Sequence, residues 1–312
     1  MAFPPAQGAR IPWEAVPESV RGAVESALGS RVAEAVTQPG GFSPGCAARL
    51  RLEDGGSVFV KAVGPEPNAD SPGFHRVEAH VAGALPPETP APEFLFCHDD
   101  GNWVALVFEN VDGHEPELPW RADELQRVLD ALTDLAAALT PAPIEAPPLT
   151  ERYAEMFRGW RILVVEQPEG LDSWIANRLD ALAELEADWV EASAGDTLLH
   201  ADIRADNVLL TEDRVVFVDW PHVCHGAPWI DLLAFLPSVA MQAGPKPWEL
   251  FDDHPVGRAA EPDRVNAVLA ALAGFFIHRS TLPPPPGLPT LREFQRAQGA
   301  ESLAWLRRRL ES

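Results

Sequence analysis

The stretch LLHADIRADNVLL, from Leu198 to Leu210, sets His200, Asp202, Arg204, Asp206 and Asn207 between two apolar ends. Twelve positions beyond Asn207, the apolar run VVFV delivers a further carboxylate, Asp219. The apolar runs read as strands, which places Asp202, Asn207 and Asp219 at the ends of two neighbouring strands. Asn207 and Asp219 are oxygen donors of the kind that suit a hard divalent cation such as Mg²⁺. That ion takes few protein ligands and fills its shell with phosphate oxygens and water. Asp202 is left to face a nucleophile. A carboxylate that orients a hydroxyl, beside a metal that neutralises a triphosphate, is the layout for phosphoryl transfer. The plainer account is a pair of polar turns capping strands. A second carboxylate at the end of an apolar strand, at this distance, favours chemistry.

A cation is the natural complement, and the chain is sparing with one type. Lys and Arg total 24, yet only Lys61 and Lys246 are lysine. Where arginine serves almost everywhere else, a lysine points to a need for a compact ammonium on a flexible stem. Lys61 ends the apolar run Val58-Phe59-Val60, and Glu78 follows on an expected helix within pairing reach. Upstream, the segment Gly40-Gly41-Phe42-Ser43-Pro44-Gly45 is rich enough in glycine for backbone to approach a phosphate closely. It matches neither the Walker pattern nor a Gly-x-Gly-x-x-Gly fingerprint, and taken alone it is equally an ordinary turn.

These groups need a scaffold. Helical spacing covers residues 17–28, and strands are expected at 47–52 and 57–63 around the turn Glu53-Asp54-Gly55-Gly56. A helix over 74–85 ends at a proline-rich stretch, 86–92, and a second strand pair covers 94–97 and 103–107. The rest is mostly helical. Residues 122–139 carry Leu125, Val128, Leu129, Leu132 and Leu135 on one face. A connector at 141–149, a long helix over 171–194, helices over 265–276 and 291–310 and a stiff linker at 283–286 complete the pattern. No internal repeat is present. The class is α+β: a small β-rich lobe over residues 1–111 and a larger helical lobe over 112–312.

In this order the motifs resemble the aminoglycoside phosphotransferase family, within the protein-kinase-like fold, over roughly residues 38 to 235. The resemblance implies a bilobal architecture and an ATP- and Mg²⁺-dependent kinase. It makes Gly40, Gly41, Phe42 and Ser43 part of a phosphate-covering loop, Lys61 the lysine that holds the α- and β-phosphates, and Glu78 its helix partner. Phe108-Glu109-Asn110-Val111 resembles the hinge, with the Glu109 carbonyl and Val111 N–H facing adenine. His200-Ala201-Asp202 resembles the catalytic loop, with Asp202 the base and Asn207 and Asp219 the metal ligands. Asp231 matches an aspartate that braces that loop. Ala201 stands where the family often has glycine, and Trp220-Pro221-His222 follows Asp219 in place of a glycine-bearing turn.

Only twelve positions separate Asp219 from Asp231, too few for the activation loop and peptide platform of a protein kinase. The implied acceptor is a small molecule with a hydroxyl. Its pocket is expected from the helical insertion around 149–182 and the carboxy-terminal helices, with Trp160, Trp220, Trp229, Asp252, Asp253 and His254 as candidate linings. An antibiotic is the first expectation, and an amino alcohol or sugar the second. A catalytically idle nucleotide-binding regulator would have no use for Asp202 beside Lys61, Asn207 and Asp219. A helical interaction protein would not need the ordered motifs.

Composition bounds the reading. A formal charge of −23 argues against nucleic acid and anionic membrane as partners. With Glu249, Asp252 and Asp253 on the expected acceptor side, it is compatible with a cationic, amine-bearing acceptor, although solubility explains the charge equally simply. No apolar run is long enough for a membrane span, and residues 1–28 lack a basic start followed by an apolar core, so a cytoplasmic monomer or homodimer is expected. Cys46, Cys97 and Cys224 are scattered and odd in number, which does not suggest a disulfide framework. His222, Cys224 and His225 have a spacing that zinc could use, but no fourth ligand is evident and loop packing is the simpler account.

Overall fold

Strand alternation decides where Lys61 points. In the computed structural model, which describes residues 10–42, 44–285 and 288–311, Val58, Val60 and Ala62 of β3 (Ser57–Val63) face one hydrophobic core. Successive strand residues point to opposite faces, so Phe59 and Lys61 face the other way. A slip of one residue would put the ammonium into the apolar core. Ser43 of the glycine-rich loop and Pro286 of the expected linker lie outside the described residues.

The sheet is antiparallel, in the order β1-β2-β3-β5-β4, with β1 (Val32–Thr37), β2 (Cys46–Leu52), β4 (Phe94–Asp99) and β5 (Val104–Glu109) around β3. Lys61 pairs with Ala47 on one side and Leu106 on the other. On one face, α1 (Glu18–Leu28) buries Val20 and Val24 against Val60, Ala105 and Val107. On the other, α2 (Ser71–Ala82) lays Ala79 and Ala82 on Val104, Leu106 and Phe108. The sequence pattern placed this helix at 74–85. Its first turn starts earlier because Pro72 sits where a missing N–H costs nothing. β1 lies at the sheet edge and none of its residues is buried, so it carries no strong apolar alternation in the sequence.

The helical lobe runs α3 (Ala122–Ala138), α4 (Leu149–Arg152), α5 (Gly159–Glu166), α6 (Ser173–Ala176), α7 (Leu179–Ala187), α8 (Trp189–Ala192), α9 (Ile230–Met241), α10 (Pro247–Phe251), α11 (Pro255–Arg258), α12 (Pro262–Thr281) and α13 (Leu291–Glu311). The single helix expected over 171–194 is three short ones. Asp172 caps α6 through Trp174 N and Ile175 N, and Arg178, at φ −130° and ψ 10°, breaks the path into α7. α9 is apolar on nearly all sides and is accordingly buried through the middle of the lobe. Short strands β6 (Thr197–Leu199) and β9 (Cys224–Gly226) pair, as do β7 (Val208–Leu210) and β8 (Val215–Phe217). Among the described residues, no helix is long and apolar enough to cross a membrane.

Candidate active site

The β7–β8 hairpin brings the opening motif together with its sequel. Val208 lies opposite Phe217, and Val218 N donates to Asn207 O at 3.0 Å, so Asn207 and Asp219 flank the same hairpin end. Lys61 arrives from the other lobe. Its Nζ donates to Glu78 Oε1 at 2.7 Å and to Asp219 Oδ1 at 2.8 Å. Burial works against the ammonium, but Asp219 and then Glu78 outweigh it, and the lysine pKa is raised. Asp219 is held well below the usual carboxylate range; burial opposes ionisation, and the Lys61 charge and hydrogen bond overcome it. Glu78 is raised by burial, with Lys61 opposing. Asp219 also adopts φ 72°, the left-handed region that a side-chain-bearing residue seldom enters. Three segments distant in sequence thus converge on one ammonium.

The catalytic loop is braced from behind. Asp231, in the first turn of α9, accepts His200 N and Ala201 N, each at 2.8 Å, and burial lifts its pKa to about 6 despite those bonds. His200 is fully buried and burial pushes it down to about 4. It is therefore the neutral imidazole, with Nε2–H donating to Val218 O at 3.0 Å and Nδ1 accepting Asp202 N–H at 3.3 Å. Tyr153 Oη donates to Ala201 O at 3.1 Å. Asp202 itself is fixed at both oxygens: Arg204 donates to Oδ1 and Asn207 Nδ2 to Oδ2 at 3.2 Å.

Ala201 holds φ 63° between these bonds. The left-handed conformation costs an L-residue about 1–2 kcal/mol. Glycine escapes that cost but gives back about 0.5–1 kcal/mol through its freer unfolded chain. Ala201→Gly is therefore expected to leave Tm within a few degrees of the parent. Ala201→Val, branched at a positive φ, is expected to lower stability by more than about 1 kcal/mol. Thermal unfolding of the two variants checks the pair. A glycine variant that melts far below the valine one would show that this backbone is not held as described.

Gly40, Gly41, Glu109, Val111, Lys61, Glu78, Asn207 and Asp219 all line one cleft between the sheet and the β7–β8 hairpin. Phe42 does not; it faces a second cavity of about 390 Å³, shared with Asp202 and Arg204. The two spaces meet at Asp219 and His75, which line both.

Four residues here carried no assignment in the sequence. Arg10 lies across the glycine-rich loop and donates to Gly40 O, and Arg49 reaches Gly113 O at 3.0 Å; both line the cleft. Burial drives His75 down to about 4. Arg204 binds Asp206 at 2.9 Å besides Asp202, and lies over the rings of Phe42 and Phe294 at 5.5 and 5.8 Å. Only Arg204 had a local signal, being two residues from Asp202 within the motif.

The expected acceptor linings need correction. Trp160 and Trp229 are core residues, Trp160 donating to Ala270 O at 2.7 Å. His254 is buried between α3 and α11, where its Nε2 lies 2.9 Å from Leu129 O. Trp220 lines the cleft, not the cavity. None of the acids expected on the acceptor side lines the cavity, and two are engaged elsewhere: Asp252 with Arg309, and Glu249 with Lys246 N in the cap of α10. The 149–182 insertion braces rather than lines, through Tyr153 and through Arg152, which donates to Pro221 O at 2.6 Å. His222 faces Phe74 and Arg152 while His225 Nε2 lies 3.2 Å from Ile144 O. His222 also lines the second cavity, while Cys224 is buried in β9.

Residues 41–265 match the model of a phosphotransferase enzyme family. No curated protein matches the sequence at a significant level. Among solved structures, the fold is similar to a thermostable mutant of aminoglycoside phosphotransferase APH(4)-Ia in ternary complex with ADP and hygromycin B. The identity is 15%, the TM-score 0.60, and the match covers 93% of this chain and 98% of that one. A choline/ethanolamine kinase family protein from Mesorhizobium loti is similar at 17% identity and TM-score 0.58, covering 95% of each chain. Amicoumacin kinase hAmiN in complex with AMP-PNP, Ca²⁺ and Ami is similar at 12% identity and TM-score 0.57, covering 93% of this chain and 95% of that one. At such identities the likeness is one of fold: a small antiparallel lobe over a helical one.

Proposed function

The chain belongs to the phosphotransferase enzyme family, and from that premise we propose that it moves the γ-phosphoryl group of ATP in line to a hydroxyl of a small molecule, with Asp202 facing the acceptor. The observation that carries this reading is the meeting of two spaces at Asp219: a cleft holding Lys61 and the strand-end segment 109–111, and a cavity holding Asp202. A phosphoryl donor in the first would be presented to a hydroxyl in the second.

The chain's own groups then have distinct tasks. Asp202, locked by Arg204 and Asn207, orients the hydroxyl and accepts its proton. Lys61, freed in part from Asp219 as phosphate enters, holds the donor's phosphates, with Glu78 keeping the ammonium in place. Glu109 and Val111 offer backbone to adenine, and Gly40 and Gly41 let backbone lie close to phosphate. The segment at 108–111, the end of β5 and the two residues after it, would be the hinge between lobes 1–111 and 112–312.

The donor set also suits a divalent cation. Asn207 Nδ2 is committed to Asp202 O at 2.8 Å, which leaves the amide oxygen for a hard ion beside the Asp219 carboxylate. Two protein oxygens and no complete cage match an ion that shares its shell with phosphate. Such an ion, when bound, neutralises charge on the triphosphate. The amicoumacin kinase structure, which contains Ca²⁺ together with AMP-PNP, supports the reading. Asp219→Asn is expected to raise the Mg²⁺ concentration at half-maximal activity by at least about tenfold, the scale on which metal sites lose affinity with a partner. A Mg²⁺ titration at fixed ATP checks this, and an unchanged midpoint refutes the assignment.

For the acceptor, an antibiotic natural product leads and an amino alcohol or sugar follows, supported by neighbours that include aminoglycoside and choline/ethanolamine kinase family proteins. The test is ADP release with and without hydroxylated compounds, read together with a phosphate mass gain on the acceptor. ADP release that no acceptor stimulates would overturn the transfer reading.

A further inference from the structure

We infer that the acceptor is an uncharged, largely apolar alcohol, held by the cavity between Phe42, Phe74 and the start of α13, and not a polycation. The inference rests on the reading of Asp202 as the group that faces the acceptor, and it names the substrate class of that site.

The cavity has a volume of about 390 Å³, within the range of small-molecule sites, which are mostly apolar with a few placed polar groups. Its walls follow that recipe. Phe42, Phe74, Pro221 and Leu291 supply apolar surface, and Asn68, Ser71, His75, His222 and Gln295 supply polar atoms beside it. Phe74 is 41% exposed, a large ring left open to solvent on α2.

Charge decides between acceptor classes. Among the described residues of the wall, the carboxylates are Asp202 and Asp219 alone. Each already has a cation: Arg204 on Asp202, and Lys61 on Asp219 at 2.8 Å, whose place the divalent cation proposed above would take as Lys61 turns to phosphate. An incoming ammonium would have to shed water with no unpaired carboxylate to receive it, a cost that buried amines recover only when paired. The net charge of −23 therefore does not express itself as an acidic acceptor pocket, and Glu249, Asp252 and Asp253 are absent from its lining. An apolar framework with one hydroxyl near Asp202 leaves no group unpaired. It buries against the rings and prolines at about 25 cal/mol per Å² of apolar surface removed from water.

The experiment uses the full chain, ATP and Mg²⁺, and a panel of uncharged apolar alcohols, each with an aminated analogue. The neutral member of each pair is expected to show kcat/KM at least about tenfold higher. Its KM is expected to stay flat between about 0.1 and about 1 M KCl, over which the Debye length falls from about 10 to about 3 Å. Preference for the aminated member, with KM climbing as salt rises, overturns the inference and leaves the phosphotransferase reading intact. Binding in the presence of AMP-PNP, measured by calorimetry, separates the two readings: neutral alcohols that bind and gain no phosphate uphold the pocket and sink the catalytic assignment, and neutral alcohols that do not bind sink the pocket. Phe74→Glu, at a position exposed enough to tolerate the change, is expected to raise KM for the neutral acceptor at least about tenfold with less than a twofold change in KM for ATP. An unchanged acceptor KM in that variant also overturns the inference.

Discussion

Asp202→Ala is expected to lower kcat by about 10²- to 10⁴-fold while nucleotide affinity stays near that of the parent, the range that a positioned base or orienting group supplies. The surroundings make alanine a clean probe. Asp202 is held by Arg204 and by Asn207, but neither depends on it alone. Arg204 keeps Asp206 through two nitrogens, at 3.0 and 2.9 Å. Asn207 Nδ2 keeps the backbone oxygen of residue 202 at 2.8 Å. The loop is braced by Asp231 through backbone N–H groups of His200 and Ala201, which the substitution does not touch. Loss of activity would therefore report loss of the carboxylate, not collapse of the loop. Single-turnover kinetics and AMP-PNP binding together make the measurement. A variant that keeps more than a tenth of the parent kcat would strip Asp202 of its role.

The parts of this site that were legible in the sequence are those fixed by strand periodicity and short spacing. Val58, Val60 and Ala62 alternate with Phe59 and Lys61, so the face of Lys61 follows from period two alone. Asn207 and Asp219 flank a hairpin whose two apolar runs are visible by eye. Glu78 lies on the one helix that can cover that face. What was not legible depends on which way large side chains turn after the chain has folded. Trp160 and Trp229 look like pocket aromatics by type, yet the packing of α5 and α9 takes them into the core. Arg10 reaches the glycine-rich loop across thirty residues, with no local pattern to announce it. The acceptor cavity is built from five separate segments, around Phe42, Phe74, Asp202, Pro221 and Leu291, and no single window of sequence contains two of its walls. Net charge is a poor guide to a pocket for a related reason: it sums over the whole surface, whereas a pocket is decided by the few carboxylates that turn inward and by whether each already has a partner.

Lys61→Ala is expected to cost on the order of 10²-fold in kcat/KM, the scale of removing one preorganised electrostatic donor, and Lys61→Arg is expected not to restore it. Arginine is the substitution to expect tolerance for, since the chain uses it for all but two of its 24 cations. The geometry argues otherwise. The Lys61 backbone is clamped on both sides by β2 and β5, so its Cα cannot retreat to make room. Its ammonium sits 2.7 Å from Glu78 and 2.8 Å from Asp219, two carboxylates on different elements that a compact, rotatable donor can satisfy together. A planar guanidinium is longer and binds carboxylates edge-on in pairs, so it would saturate one of them and push into the space a phosphate needs. Lys246 provides the internal control. It is partly exposed, and its Nζ donates to both oxygens of Glu301 at 2.8 Å, the bidentate arrangement that arginine reproduces. Lys246→Arg is expected to be silent in activity and in Tm. The comparison is kcat/KM for ATP across Lys61→Ala, Lys61→Arg and Lys246→Arg, with folding followed by thermal melts. If Lys61→Arg matches the parent within about threefold, the ammonium is an ordinary strand-end charge, and the donor's phosphates must be held by other groups in the cleft, of which Arg10 and Arg49 are the nearest in kind.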